Sequence, residues 1–230
     1  MKTLGLIGGT SWLSTVEYYR LLNEGIASRL GGLNSARCIL YSLNFAEAYE
    51  FNKRQDWDGA LELFADAGGH LKRSGAEALV LCANTPHVIA DRLEKRVGIP
   101  LVHIVDATAK AIRAMGLDRV ALLGTRYTME LPFFHDRLSW HGVTSVAPNA
   151  DERKYIHATI HDELAKNVIK DETRRGYLDI IDRMARDEGT QGAILGCTEI
   201  PLLIKQSHTK TPVFDTTALH AAAAIDFMLS

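Results

Sequence analysis

Two short segments of the chain carry the residue types best suited to chemistry, and they look like two copies of one design. One is LVLCANTPH at positions 79–87, and the other is AILGCTEIP at positions 193–201. Each is an apolar run that stops at small and polar residues and then begins a helix, which is how α/β proteins present reactive side chains at the carboxyl ends of strands. When the two are aligned, Ala83 falls opposite Cys197 and Asn84 falls opposite Thr198. Only one of the copies therefore holds a thiol at this place.

Cys197 is the main candidate for a reactive group. A cysteine inside a buried strand is usually a small hydrophobe, but Cys197 is predicted to follow its strand, at a turn that enters a helix. A helix N-terminus lowers the pKa of a thiol and favours the thiolate. Taken alone, the position fits a structural cysteine as well as a reactive one. Side chains alternate along a strand, so Cys82, one residue before Ala83, is predicted to point into the core.

Three other predicted strand ends supply polar groups. Backbone N–H groups at the turn formed by Gly9, Thr10 and Ser11 can bind an anion, although a tight turn alone also requires glycine. This turn matches neither the GxxxxGK[ST] nor the GxGxxG pattern, which argues against a nucleotide. The amide and hydroxyl groups at the other two ends suit a carboxylate, or they are helix caps. These residues are Asn84, Thr85, Thr125 and Thr128.

Composition and charge set the class of protein. The chain has 230 residues, 47% of them hydrophobic, and a net charge of -2 with no basic stripe, so a large core is expected and a nucleic-acid partner is not. The three cysteines form no CxxC pair, which predicts neither a disulfide framework nor a zinc site and fits a reducing compartment. The apolar run at 4–7 is too short for a signal peptide or membrane span. We expect a cytoplasmic protein with no membrane partner and no metal.

Apolar runs alternate with helical patterns along the whole chain, which predicts parallel sheets covered on both faces. The pattern restarts at Arg119, where VALLGT at 120–125 resembles LGLIGGT at 4–10. An internal duplication explains the restart, although buried parallel strands also resemble one another without it. The expected fold is α/β, with two similar Rossmann-like lobes of parallel strands related by a pseudo-two-fold axis and an active site in the cleft between them. The expected lobes are 1–105 with 212–230, and 106–211. Strands are predicted at 3–7, 38–43, 78–82, 101–104, 119–123, 143–146, 192–195 and 213–214.

At these residues the sequence resembles the aspartate/glutamate racemases and their wider superfamily, over essentially the whole chain. The resemblance rests on GLIGGT near the N-terminus, NTPH at 84–87, LLGT at 122–125 followed by Thr128, and GCTE at 196–199. It implies a racemisation of an acidic amino acid that needs no cofactor. One cysteine thiolate removes the Cα proton, and a second thiol on the opposite face returns one. Fixed donors must hold the developing carboxylate charge. The residues suggested for substrate binding are Gly9, Thr10, Ser11, Asn52, Asn84, Thr85, Thr125, Thr128, Thr198, Glu199 and Lys166.

The sequence departs from the family pattern at two places. Ala83 stands where the family has its first catalytic cysteine, and alanine has no proton to exchange. Many relatives place a lysine after the helix at 156–164, where Ala165 stands here with Lys166 beside it. Lys53 or Arg54 is an alternative cationic contact for a second carboxylate.

The resemblance predicts a homodimer that racemises aspartate, glutamate or a related amino acid, with Cys197 as the acid/base and with activity that is impaired or one-sided. Two alternatives stay open. The chain can be a decarboxylase or isomerase of the same superfamily that uses one cysteine, as arylmalonate decarboxylases do. It can also be a binding protein for carboxylates that has no turnover. Exchange of the substrate Cα proton with solvent deuterium distinguishes these three possible functions.

Overall fold

The computed structural model describes all 230 residues and divides into two compact units. The first unit consists of Met1–His103 and His220–Ser230, and the second consists of Ile104–Leu219. Each unit contains one parallel sheet with helices, so the predicted α/β class with two parallel sheets is confirmed. No helix combines the length and the apolar composition that a membrane span requires.

The sheet of the first unit has three parallel strands in the order β2-β1-β3. Its central strand, LGLIG, is buried along its whole length, as expected for a strand that is covered on both faces. One face packs against a cluster that includes Phe64 and Leu71, and the other packs against a cluster that includes Tyr18 and Leu22. The elements are β1 (Leu4–Gly8), α1 (Trp12–Leu30), β2 (Cys38–Ser42), α2 (Phe45–Arg54), α3 (Trp57–Arg73), β3 (Ala78–Leu81), a 3₁₀ helix (Thr85–Ile89) and α4 (Ala90–Val97).

The sheet of the second unit has four parallel strands in the order β5-β4-β6-β7. The first three strands repeat the order seen in the first unit, with the earliest strand in the centre and the latest of the three beside it. This repetition supports an internal duplication. The elements are α5 (Ile104–Ala114), β4 (Arg119–Gly124), α6 (Arg126–Glu130), α7 (Pro132–Trp140), β5 (Thr144–Val146), α8 (Ala150–Asp162), a 3₁₀ helix (Leu164–Lys166), α9 (Asp171–Glu188), β6 (Ala193–Gly196), α10 (Ile200–Leu203), a 3₁₀ helix (Gln206–His208), β7 (Val213–Asp215) and α11 (Thr216–Leu229).

The C-terminal part of the chain differs from the expected division. Residues from 212 onward were predicted to join the first lobe, but β7 pairs with β6, with Val213 opposite Ala193. The N–H of Ala193 also donates to the carbonyl of Pro212 over 2.8 Å. Because these backbone bonds tie β7 to the second sheet, the chain returns to the first unit only within α11.

Some local elements also differ from those predicted from the sequence. Helix α1 begins at Trp12, because the side chain of Ser11 accepts the N–H of Ser14 and serves as the cap. The strand predicted at 101–104 is a single bridge between Leu79 and Leu101. The helix predicted after Thr125 is interrupted at Leu131, directly before the proline that starts α7. Helix α2 was not predicted.

Candidate functional site

The turn after β1 is fixed by glycine geometry. Gly9 has a φ of +83°, and a Cβ there would lie 2.0 Å from the carbonyl oxygen of Leu43. Its N–H donates to Oγ1 of Thr15 over 2.9 Å, so this predicted anion donor is already used inside the protein. Thr10 Oγ1 is buried and has no hydrogen-bond partner. The Thr10 hydroxyl therefore has unused hydrogen-bonding capacity in the predicted anion-binding turn.

The segment after β3 is held by two side chains that bind its backbone. Ser14 Oγ donates to the carbonyl of Cys82 over 2.5 Å. His87 Nδ1 lies 3.0 Å from the carbonyl oxygen of Ala83 and 3.2 Å from that of Asn84, and since both are acceptors, the nitrogen is the donor. Ala83 is partly buried and Asn84 is buried. Sequence reasoning missed both anchors, although the NTPH motif contains the histidine.

His87 belongs to a buried cluster of aromatic rings in the first unit. Its ring centroid lies 4.8 Å from that of His103 and 5.3 Å from that of His220. His220 Nε2 donates to the carbonyl of Val102 over 2.7 Å, so its Nδ1 accepts the hydroxyl of Tyr18, also at 2.7 Å. Burial lowers the pKa of His220 to about 4, and burial together with the two other imidazoles lowers the pKa of His87. Both rings are therefore neutral at physiological pH.

In the second unit, two threonines lie at the end of β4. Thr125 precedes α6, and its Oγ1 lies 3.4 Å from Oγ1 of the fully buried Thr128. Thr128 packs onto the strand ends at Gly124 and Gly196, where an added Cβ would lie 3.0 Å from its side chain. His157 Nδ1 accepts the N–H of Arg126 over 3.2 Å and so fixes the start of α6. The two threonine hydroxyls are thus held on a rigid turn.

Cys197 follows β6 directly and is partly buried. Its Sγ donates to Oε2 of Glu199 over 2.9 Å, and Thr198 Oγ1 donates to the same oxygen over 2.8 Å. The residue Glu199 is only 8% exposed. The three residues predicted at this strand end therefore form one hydrogen-bonded group.

The expected effect of a helix on the Cys197 thiol was wrong. Burial raises the pKa of this thiol well above its ordinary value, and the Glu199 carboxylate raises it further. The helix that follows, α10, has only four residues and begins three positions after the cysteine. Because so short a helix has little dipole, it does not offset a carboxylate in direct contact with the sulfur.

The other two cysteines lie away from this group. Cys82 is fully buried in the hydrophobic core, as predicted from strand alternation, and burial raises its pKa. Cys38 begins β2 and is partly buried, and burial raises its pKa as well.

Other residues suggested as substrate ligands lie on helices rather than at strand ends. Asn52 lies in the last turn of α2, where its carbonyl accepts the N–H of Gln55. Lys166 is 65% exposed at the end of a 3₁₀ helix, and its ammonium lies 4.0 Å from Asp162, a surface pair that adds little. Lys53 and Arg54 are exposed on α2.

Both α/β units carry polar side chains at the ends of their strands, and the second unit adds the thiol of Cys197. The family model described as Asp/Glu/Hydantoin racemase matches residues 7–224, so the chain belongs to this family. The predicted resemblance is thereby confirmed.

Solved structures and curated proteins agree with the family. A candidate Asp/Glu racemase from Yersinia pestis is 45% identical, with a TM-score of 0.94 and full coverage of both chains. An aspartate racemase homologue from Pyrococcus horikoshii OT3 is 35% identical, with a TM-score of 0.90 and full coverage of both chains. The broad specificity amino-acid racemase RacX of Bacillus subtilis is 21% identical over 178 residues, which is 76% of this chain and 75% of that protein.

Proposed function

We propose that this protein is a cofactor-independent racemase of aspartate, glutamate or a related amino acid, with Cys197 as its acid/base. The observation that carries the proposal is the placement of Cys197 at the end of β6 in a chain of the Asp/Glu/Hydantoin racemase family. A thiol at this place can take a proton from Cα and return it without a metal or an organic cofactor. We further propose that the protein is a homodimer and that it is located in the cytoplasm.

The charge that develops on the substrate needs fixed donors. Removal of the Cα proton leaves an electron pair that is delocalised onto the adjacent carboxylate, and preorganised hydroxyl and amide groups stabilise that charge. The hydroxyls of Thr125 and Thr128 at the end of β4 are such groups. Further donors proposed for the two carboxylates of the substrate are Thr10, Ser11, Asn84 and Thr85. Four residues suggested by the sequence are weaker candidates. The N–H of Gly9 and the hydroxyl of Thr198 already donate to Thr15 and Glu199, Asn52 lies in the last turn of α2, and Lys166 is exposed.

Because of Ala83, the proposed site has an acid/base side chain for only one face of the substrate carbon. Two acid/base groups are needed to invert Cα, one for each face, and the methyl group of Ala83 has no proton to give. Water or a hydroxyl must then serve the second face, which makes inversion slower than exchange. The presence of a single thiol also favours a second candidate function, in which the protein protonates only one face of the substrate carbon. Such an enzyme either removes a carboxylate as carbon dioxide before that protonation or returns the Cα proton without inversion.

One experiment tests both candidates. The purified protein is incubated with L- and D-amino acids in deuterium oxide, and Cα deuteration and chirality are followed by NMR and chiral chromatography. A racemase exchanges and inverts, whereas an enzyme acting on one face exchanges without inversion or decarboxylates a malonate. Cys197→Ser serves as the matched control that keeps the side-chain shape. Absence of exchange with every amino acid, together with no decarboxylation of an added malonate, would leave only a binding role.

A further inference from the structure

Two donors converge on one carboxylate oxygen at the end of β6. Cys197 Sγ and Thr198 Oγ1 lie 2.9 and 2.8 Å from Oε2 of Glu199. A carboxylate is an acceptor that can hold several such bonds, and hydrogen bonds to a charged acceptor are short and strong. Since Glu199 is only 8% exposed, its oxygen is directed to the sulfur rather than to bulk water. The sulfur thus has a base within hydrogen-bond reach in its own unit.

We propose that Glu199 takes the proton of Cys197 whenever the sulfur acts on a substrate, so that the two residues work as one acid/base pair. This inference rests on the proposed function. The Sγ–H bond breaks and an Oε2–H bond forms, which turns the carboxylate into a carboxylic acid and leaves a thiolate. The thiolate then takes the Cα proton, and the electron pair of the Cα–H bond remains on the substrate. In the return direction Sγ–H protonates Cα, and Glu199 gives its proton back to the sulfur.

The geometry also argues against the role first expected for Glu199. A buried carboxylate repels a second carboxylate, so Glu199 is a poor ligand for an acidic substrate. Burial and the same negative charge raise the pKa of the thiol, so the resting sulfur keeps its proton. A resting thiol can remove a Cα proton only after it has lost its own. The contact with Glu199 supplies the acceptor for that first transfer.

Thiol alkylation tests this pair without depending on turnover. The rate of iodoacetamide reaction at Cys197 is measured against pH by mass spectrometry of the peptide, in the wild type and in Glu199→Gln. The uncharged amide removes the repulsion, so the alkylation profile moves to lower pH by about one unit or more. Cα exchange falls in the same variant by roughly 10²–10⁴-fold, because the proton acceptor is lost. Glu172→Gln, at an exposed glutamate of α9, gives the same change of charge in the same unit and alters neither property.

The combination of a more reactive thiol and a slower enzyme distinguishes this role from others. An unchanged alkylation profile in Glu199→Gln, or full exchange activity, overturns the proposal. A raised KM with an unchanged kcat also overturns it, because that is the signature of a substrate ligand. If circular dichroism shows that Glu199→Gln does not fold, the wild type alone tests the proposal. A wild-type Cys197 that iodoacetamide alkylates as fast as free cysteine at neutral pH contradicts an acid/base pair of Cys197 and Glu199. If the wild type exchanges no amino acid, the proposed function fails, and the alkylation profiles still decide whether Glu199 governs the thiol proton.

Discussion

The Nδ1 atom of His87 lies 3.0 Å from the carbonyl oxygen of Ala83, the residue that aligns with Cys197 between the two strand-end segments of the sequence. The same nitrogen lies 3.2 Å from the carbonyl oxygen of Asn84. One buried imidazole therefore fixes the backbone of both residues, and a change at His87 should reach the proposed substrate site through that backbone.

His87→Asn should preserve the function of this anchor, and His87→Gln should not. The side-chain amide nitrogen of asparagine can occupy the position of the imidazole Nδ1, which is the atom that donates here. The amide nitrogen of glutamine instead falls near the position of the imidazole Nε2, so it does not reach the two carbonyls. We expect His87→Gln to lose about 1–3 kcal/mol of stability, since two buried carbonyls lose their donor. The free energy of unfolding and the Cα exchange rate are measured for both. Equal behaviour of the two variants would show that the Nδ1 contact has no role.

Cys197→Ser should abolish Cα exchange, because serine keeps the shape but is a far weaker acid. Cys38→Ser is the control, since Cys38 lies at the start of β2, outside the strand-end group, and should leave exchange unchanged. Cys82→Ser should instead reduce stability by about 1–3 kcal/mol, because it places a hydroxyl in a fully buried apolar cluster. Exchange at the wild-type rate in Cys197→Ser would disprove its acid/base role.

Ala83→Cys should raise the rate of inversion by roughly 10²–10⁴-fold, the contribution of one positioned acid/base group. The residue is only partly buried, so its side chain is not enclosed by the core. The gain should be largest for the enantiomer whose Cα proton is served by residue 83. Ala83→Ser is the matched control of similar size, and it should give a much smaller gain. Unchanged rates in both directions for a folded Ala83→Cys protein would mean that residue 83 does not face the substrate.

Acid should destabilise the protein through His220. Burial lowers the pKa of this ring to about 4 in the folded state, whereas an exposed histidine has a pKa of about 6.5. As the pH falls, the unfolded chain therefore binds the proton before the folded protein does. The stabilisation associated with neutral His220 is complete above the pKa of the unfolded state, and it is lost as the pH falls toward the pKa of the folded state. Between pH 7 and pH 5, His220 alone should cost about 2 kcal/mol of stability.

Urea unfolding at the two pH values measures this loss. His220→Gln keeps a donor for the carbonyl of Val102 but cannot be protonated, so its stability should depend less on pH. A pH dependence identical to that of the wild type would exclude His220 as the responsible group.

Sequence patterns predicted the strands well because buried parallel strands are runs of apolar residues, as in LGLIG and AILG. They also placed Cys82 in the core, since alternation follows directly from strand geometry. They did not predict the raised pKa of Cys197. Its causes are the burial of the sulfur and its contact with the Glu199 carboxylate, which lies two residues later, and no local pattern encodes either of them. The assignment of Val213–Asp215 to the second sheet was missed because pairing depends on neighbours that are distant in the sequence.

The first unit is built from two separate stretches of chain, and this has a consequence for its synthesis on the ribosome. Tyr18 and His220 form a buried hydrogen bond, yet His220 emerges only after the whole of Ile104–Leu219 has been made. The second unit is continuous and can complete its core while the first still lacks Ala221, Ala224 and Met228. Nascent chains released before His220–Ser230 would expose the apolar face of β1 and α1. The N-terminal unit is translated first, yet it can complete its core only after the whole of the second unit has been made.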